Sequence, residues 1–245
     1  MAAFRGRRPI SPTSSRVCAE AQPGQLRRAL YGRAKGKTLR AHQSELMRSL
    51  LPRLEADLGA LREGRLFAPG RELWLEIGFG GGEHLLVRAS ENPEVGFIGC
   101  EPFVNGVAKL LAGVEAHGLD NIRVRMDDAT ALIETAPDAA FSRIYLLYPD
   151  PWPKRRQHKR RIVSERNVAA LARVLRPGGE LRFATDIDDY AGWTLRRFLA
   201  SAEFSWEAWT ADDWRRPWAG WTPTRYETKA RTAGRGSAYL TFRRR

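Results

Sequence analysis

Cysteine is nearly absent: Cys18 lies in a polar N-terminal stretch and Cys100 closes an apolar run, far apart in the chain. Neither a disulfide framework nor a cysteine-rich metal site can be built from them, and reduced thiols in a reducing compartment are expected. Long apolar runs are missing too. None approaches the roughly eighteen residues that span a bilayer, and the basic N-terminus has no apolar signal core behind it. A soluble, cytoplasmic protein with no membrane partner is the expectation. The four histidines (His42, His84, His117, His158) lack metal-ligand spacing, and no Ser/His/Asp order is placed for nucleophilic catalysis, so structural or solvated roles are their default and no metal is expected.

Acidic residues are missing from three segments of a chain whose net charge is +13. Residues 1 to 40 hold ten Lys/Arg against Glu20 alone, residues 154 to 161 hold six against none, and residues 225 to 245 hold seven against Glu227 alone. The remainder is an acidic body carrying three cationic patches. That distribution points to a polyanion, and to nucleic acid over a membrane, because the basic runs are mixed with Gly, Gln and His and have no apolar face.

With 43% apolar residues, 245 residues suffice for one full core. Residues 1 to 38 read as a flexible basic arm and 39 to 245 as a single domain. Leu46, Met47, Leu50, Leu51 and Leu54 recur at helical spacing, and Pro52 is expected to kink or divide that helix. Beyond it, short apolar runs alternate with helical stretches: "LWLEIG" (73 to 78), "GFIGCE" (96 to 101), "IRVRM" (122 to 126), "IYLLY" (144 to 148) and "ELRFATD" (180 to 186). These predict parallel strands of a doubly wound α/β sheet. "FSWEAW" and "AYLTF" add two strands with antiparallel pairing, making seven in a Rossmann-like arrangement. Five tryptophans between Trp206 and Trp221 are expected to pack the C-terminal core.

The motifs sit at strand ends. In "LEIGFGGGEH", Gly78, Gly80 and Gly82 follow a buried strand and precede a helix, so the backbone can pass close to a nucleoside-type ligand. A dinucleotide fingerprint would need glycine where Glu83 stands. Together with Glu76 on the strand, that acid disfavours a pyrophosphate and suits a cationic amine, which S-adenosylmethionine carries beside its sulfonium. Glu101 ends the second strand, where a carboxylate can accept ribose hydroxyls. Asp127 and Asp128 end the third, and Asp128, opening the next helix, is expected to face an adenine edge. In "YPDPWPKRRQHKRR", prolines 149, 151 and 153 restrict the backbone around Asp150 at the fourth strand end, next to the basic run. Asp150 with Trp152 is similar to the Asn/Asp-Pro-Pro-aromatic box of adenine- and cytosine-modifying methyltransferases, and a carboxylate matches the N1 proton and amino group of guanine. A Pro-rich turn with a capping acid is the plainer alternative. Asp186 either takes a second hydrogen bond from a base or caps a helix. Tyr226 and Glu227, read as a loop between the last strands, either close over a nucleotide or are surface residues.

Together, "LEIGFGGGEH", "GCEPF", "YPDPWPKRRQHKRRIV", "FATDIDDYA" and "TRYETKA" resemble the bacterial tRNA (guanine-N7-)-methyltransferase family over about residues 27 to 243. The resemblance implies a class I methyltransferase fold and methyl transfer from S-adenosylmethionine to guanine 46 of the tRNA variable loop. It further implies methyl-donor contacts at Glu76, Glu101, Asp128 and Asp150, with Asp150 also catalytic. Substrate contacts fall on Lys154, Asp186, Thr224, Arg225, Tyr226 and Glu227, and RNA contacts on Arg156, Gln157, His158, Lys159, Arg160 and Arg161. Pro153 departs from the family's common His, so no chemistry is assigned there. A monomer is expected, with a homodimer open. The competing reading is a noncatalytic RNA-binding protein that retains the fold.

Overall fold

The computed structural model describes residues 34 and 36–245. Pro52 acts as its missing N–H dictates. The first helical stretch is divided into α1 (Ala41–Ser49), α2 (Leu51–Leu54), with Pro52 in its first turn where no N–H is needed, and the short α3 (Leu58–Arg62). Most of the expected arm, and Cys18 with it, lies outside the described residues. Its described end is tied down: Val104 N–H donates to Ala34 O (3.0 Å), Gly36 N–H to Asn105 Oδ1 (2.7 Å), and Asn105 Nδ2 to Lys37 O (2.7 Å).

The alternation then runs β1 (Leu73–Ile77), α4 (Glu83–Glu91), β2 (Gly96–Cys100), α5 (Val104–His117), β3 (Ile122–Arg125), α6 (Thr130–Thr135) and β4 (Phe141–Leu147). A 3₁₀ helix (Arg155–Arg160) precedes α7 (Glu165–Val174), β5 (Leu175–Thr185), α8 (Asp188–Leu199), β6 (Phe204–Trp206), α9 (Asp212–Arg215), α10 (Arg225–Thr232) and β7 (Ala238–Arg244). The seven strands form one sheet in the order β3-β2-β1-β4-β5-β7-β6. The first five are parallel, and β7 pairs antiparallel with both β5 and β6. All seven expected strands are present. Three are longer than their apolar runs: β7 continues to Arg244, β4 begins at Phe141, and β5 at Leu175, before Pro177-Gly178-Gly179, with a register shift between Phe141 and Arg143 absorbing the turn.

Each strand divides its side chains between two cores by simple alternation. Leu75 and Ile77 join Ile144, Leu146, Leu181 and Phe183 beneath α6, α7 and α8. Trp74 joins Phe97, Tyr145 and Tyr239 beneath α1, α4 and α5. Trp206 and Trp214 pack on the first core, and Trp218 and Trp221 on the second. Trp209 differs, standing 85% exposed after the short strand β6. Because the strand order reverses between β1 and β4, the loops after these strands diverge and leave a crevice at their carboxyl ends.

Candidate active site

Alternation along β1 sends Glu76 toward α4, one position before the strand ends. There its carboxylate shares a 2.7 Å hydrogen bond with His84 Nδ1, and both side chains are only 4% exposed. The ring of His84 lies edge-on to Tyr145 at 4.6 Å. The glycine loop follows, with Gly78, Gly80 and Gly82 all at positive φ. Gly106 in α5 lets that helix close on the loop: a β-carbon there would stand 2.2 Å from Gly80 O. Glu101 fastens the same loop, accepting from Gly80 N–H (2.7 Å) and Phe103 N–H (2.9 Å). Burial raises the Glu101 pKa above the ordinary carboxylate value, the two N–H groups oppose this, and the charges of Asp150 and Glu76 push it further up. Glu101, fastened to the glycine loop, thus has the negative charges of Asp150 and Glu76 as neighbours. Such a site suits a cationic, ribose-bearing ligand.

Asp128 accepts from Thr130 N–H (2.8 Å) at the start of α6 and lines a cavity of about 260 Å³ between α6, α7 and the end of the 3₁₀ helix. Asp127 is exposed and Asp128 half-buried.

The chain leaves β4 under strain. Tyr148 (φ 50°) and Trp152 (φ 43°) both occupy the left-handed region, which costs a residue with a β-carbon on the order of 1–3 kcal/mol and persists only where the surroundings impose it. Tyr148 is held by its hydroxyl, which donates to Ser237 Oγ (3.0 Å). Asp150, between the two, is exposed at the crevice mouth, yet desolvation by the surrounding protein raises its pKa.

The basic run forms the 3₁₀ helix, with Lys154, Arg156 and Lys159 exposed and Gln157 and Arg160 half-buried. Arg160 lies over the Trp152 ring at 4.9 Å. His158 turns inward, edge-on to Trp193 at 5.2 Å. Arg161 corrects the expectation of an RNA contact: its side chain has no exposed surface, donating instead to Pro151 O (2.8 Å) and to Asp189. A guanidinium so enclosed cannot reach a phosphate.

The "TRYE" run needs a second correction. It is the N-terminus of α10, not a loop. Thr224 caps the helix by accepting from Glu227 N–H (3.2 Å), and Glu227 is fully buried, accepting from Tyr239 Oη (2.7 Å), Trp221 Nε1 and Arg231. Its carboxylate is committed to holding α10 and cannot face a base. Arg225 and Tyr226 remain exposed, and the Tyr226 ring lies against the glycine loop, 3.4 Å from where a Gly80 β-carbon would stand. Asp186 at the end of β5 pairs with Arg235 (2.8 Å) and makes no helix cap.

Sequence reasoning missed His84, Gly106 and the inward turn of Arg161. Only Gly106, a glycine inside an otherwise good helix, left a readable signal. Among the described residues no metal-ligating cluster is present, and no helix is long and apolar enough to cross a membrane.

Comparison with known proteins places this chain in a family. The profile of the family described as "Putative methyltransferase" matches residues 70–240. The tRNA (guanine-N(7)-)-methyltransferase of Rhodopseudomonas palustris (strain BisB18) is 55% identical over 229 residues, covering 92% of this chain and 91% of its own. That of Agrobacterium fabrum is 54% identical, covering 89% and 95%. In fold, the 16S rRNA methyltransferase KamB superposes with a TM-score of 0.50 at 15% identity, covering 71% of this chain and 88% of its own. With the profile spanning most of the chain and the relatives matching nearly end to end, the chain belongs to the tRNA (guanine-N(7)-)-methyltransferase family.

Proposed function

We propose that this protein transfers the methyl group of S-adenosylmethionine to N7 of a guanine in tRNA, guanine 46 of the variable loop. The observation that carries the reading is Glu101 bonded to the glycine loop, with Glu76 lining the same loop and the charge of Asp150 acting on Glu101, five residues before the cationic 3₁₀ helix. One side of that pairing suits a cationic methyl donor and the other an RNA backbone. Glu76 would hold the amine, Glu101 the ribose and Asp128 the adenine edge. When bound, S-adenosylmethionine supplies an electrophilic methyl on a sulfonium.

Guanine N7 has a free lone pair and no proton, so no general base is needed to create the nucleophile. The residues must position the base and favour the positive charge that appears on the ring. Asp150 is suited to both tasks: its carboxylate accepts from guanine N1–H and the amino group, and its charge stabilises the cation. Asp186, Lys154, Arg225 and Tyr226 line the approach. Lys154, Arg156 and Lys159 hold the phosphates, with the protein acting in the cytoplasm as a monomer.

Incubation with labelled S-adenosylmethionine and unmodified tRNA, followed by mapping of the modified nucleotide, tests the reading; label elsewhere than guanine N7 refutes it. Asp150→Ala should lower turnover by orders of magnitude and leave tRNA affinity in place. A noncatalytic RNA-binding protein would show neither label nor any response to that substitution.

A further inference from the structure

Arg161 closes the basic run, yet the structure removes it from solvent altogether. Its Nε donates to Pro151 O (2.8 Å), the carbonyl immediately after Asp150, and its Nη2 donates to Asp189 in the first turn of α8. The guanidinium lies 4.8 Å from the ring of Tyr190 and 4.8 Å from that of Trp193, both in α8. Trp193 is itself fixed, donating from Nε1 to Val163 O (2.7 Å) and carrying Arg197 on its ring at 3.1 Å. Two aromatic rings, a carbonyl and a carboxylate replace most of its water, leaving Nη1 buried without a hydrogen-bond partner.

We infer that Arg161 is a positioning residue that fixes the Asp150 carboxylate by clamping the carbonyl of Pro151 to α8. The inference rests on the reading of Asp150 as catalytic. Two strained residues, Tyr148 and Trp152, flank Asp150 and must be held from outside. The Ser237 hydroxyl holds the first side and Arg161 the second. Lysine cannot replace it, because one ammonium lacks the planar fork that reaches a carbonyl and a carboxylate while lying along two rings. Cations therefore divide into exposed ones that meet phosphate and a buried one that sets the geometry of the loop.

The test uses the full chain with Arg161→Lys, Asp189→Ala, Asp150→Ala and the double variant Arg161→Lys/Asp150→Ala. For Arg161→Lys, kcat should fall by on the order of 10²-fold, the effect of a misplacement near 1 Å, while KM for tRNA and the salt dependence of tRNA binding stay at wild-type values. Asp189 is 60% exposed, so Asp189→Ala keeps the core and should lower kcat less, with the same unchanged KM. This variant carries the test should Arg161→Lys fail to fold. The double variant should be no slower than Asp150→Ala.

A raised KM with a shallower salt slope would make Arg161 an RNA contact and overturn the inference. Wild-type kcat in Asp150→Ala removes Asp150 from the chemistry, and the clamp's target with it. Low kcat in Asp150→Ala beside wild-type kcat in Arg161→Lys and Asp189→Ala overturns only the role of Arg161.

Discussion

Replacing His84 with leucine should separate the stability of the site from its affinity for the methyl donor. Glu76 is 4% exposed and its carboxylate bonds to His84 at 2.7 Å, with Tyr145 packed on the same histidine. His84→Leu fills the space with apolar volume and strands a buried carboxylate. Loss of a hydrogen bond to a charged group costs about 1.5–3 kcal/mol, and a buried ion left unpaired about 3–5 kcal/mol, so about 3 kcal/mol is expected. At about 2–4 °C per kcal/mol for a chain of this size, the Tm of the ligand-free protein falls by about 6–12 °C. Glu76→Gln provides the contrast, because the amide still bonds His84 while the charge proposed to face the donor's ammonium is gone. Its Tm should stay near wild type, and its Kd for S-adenosylmethionine should rise by about 10- to 100-fold, the worth of a charge-assisted bond. Thermal unfolding and titration calorimetry on both variants decide the matter. A Tm within about 2 °C of wild type in His84→Leu would show that Glu76 does not depend on this histidine, and the reasoning would fail.

Gly106→Ala should improve the intrinsic helix propensity of α5 by about 1 kcal/mol yet weaken methyl-donor binding, because the new β-carbon meets Gly80 O at 2.2 Å; calorimetry showing an unchanged Kd would mean that the loop is not held by this contact. The raised pKa values of Asp150 and Glu101 mean that, as pH falls, both carboxylates are neutralised above their ordinary values of 3.8 and 4.5. Affinity for S-adenosylmethionine should therefore drop on acidification before that range is reached, more steeply than affinity for S-adenosylhomocysteine, which lacks the sulfonium charge, and parallel curves would contradict it. Glu227→Ala should cost about 3 kcal/mol, since Trp221, Tyr239 and Arg231 lose a buried acceptor, and should expose α10 to protease; wild-type resistance would refute its role as an anchor. Arg156→Gln and Lys159→Gln should each reduce the slope of log Kd for tRNA against log salt by about 0.7–0.9, and a slope equal to wild type would take that side chain off the phosphates.

The strand pattern was legible because buried parallel strands leave near-continuous apolar runs, and the acids at their ends could be placed once the alternation was known. Helix α10 is not legible, since "RYETKART" has a mean composition too polar to mark a buried face and its one buried acid, Glu227, is matched by residues from 221 to 239. Arg161 looked like its neighbours because charge runs carry no sign of which member turns inward; that is decided by Tyr190 and Trp193, about thirty residues away in the chain.

Sequence alone determined the class of sheet, the places where chemistry-bearing residues cluster, and the cationic character of the partner-facing surface, all of which follow from local periodicity, turn residues and charge, and these need no long-range contact to be read. Only the tertiary structure decided that Glu76 shares its carboxylate with His84, that Tyr148 and Trp152 bear strain around Asp150, and that Arg161 and Glu227 are buried struts. Each of those depends on a partner brought near by the folding of the sheet and helices, and the burial that gives a charge its role exists only once both partners are packed.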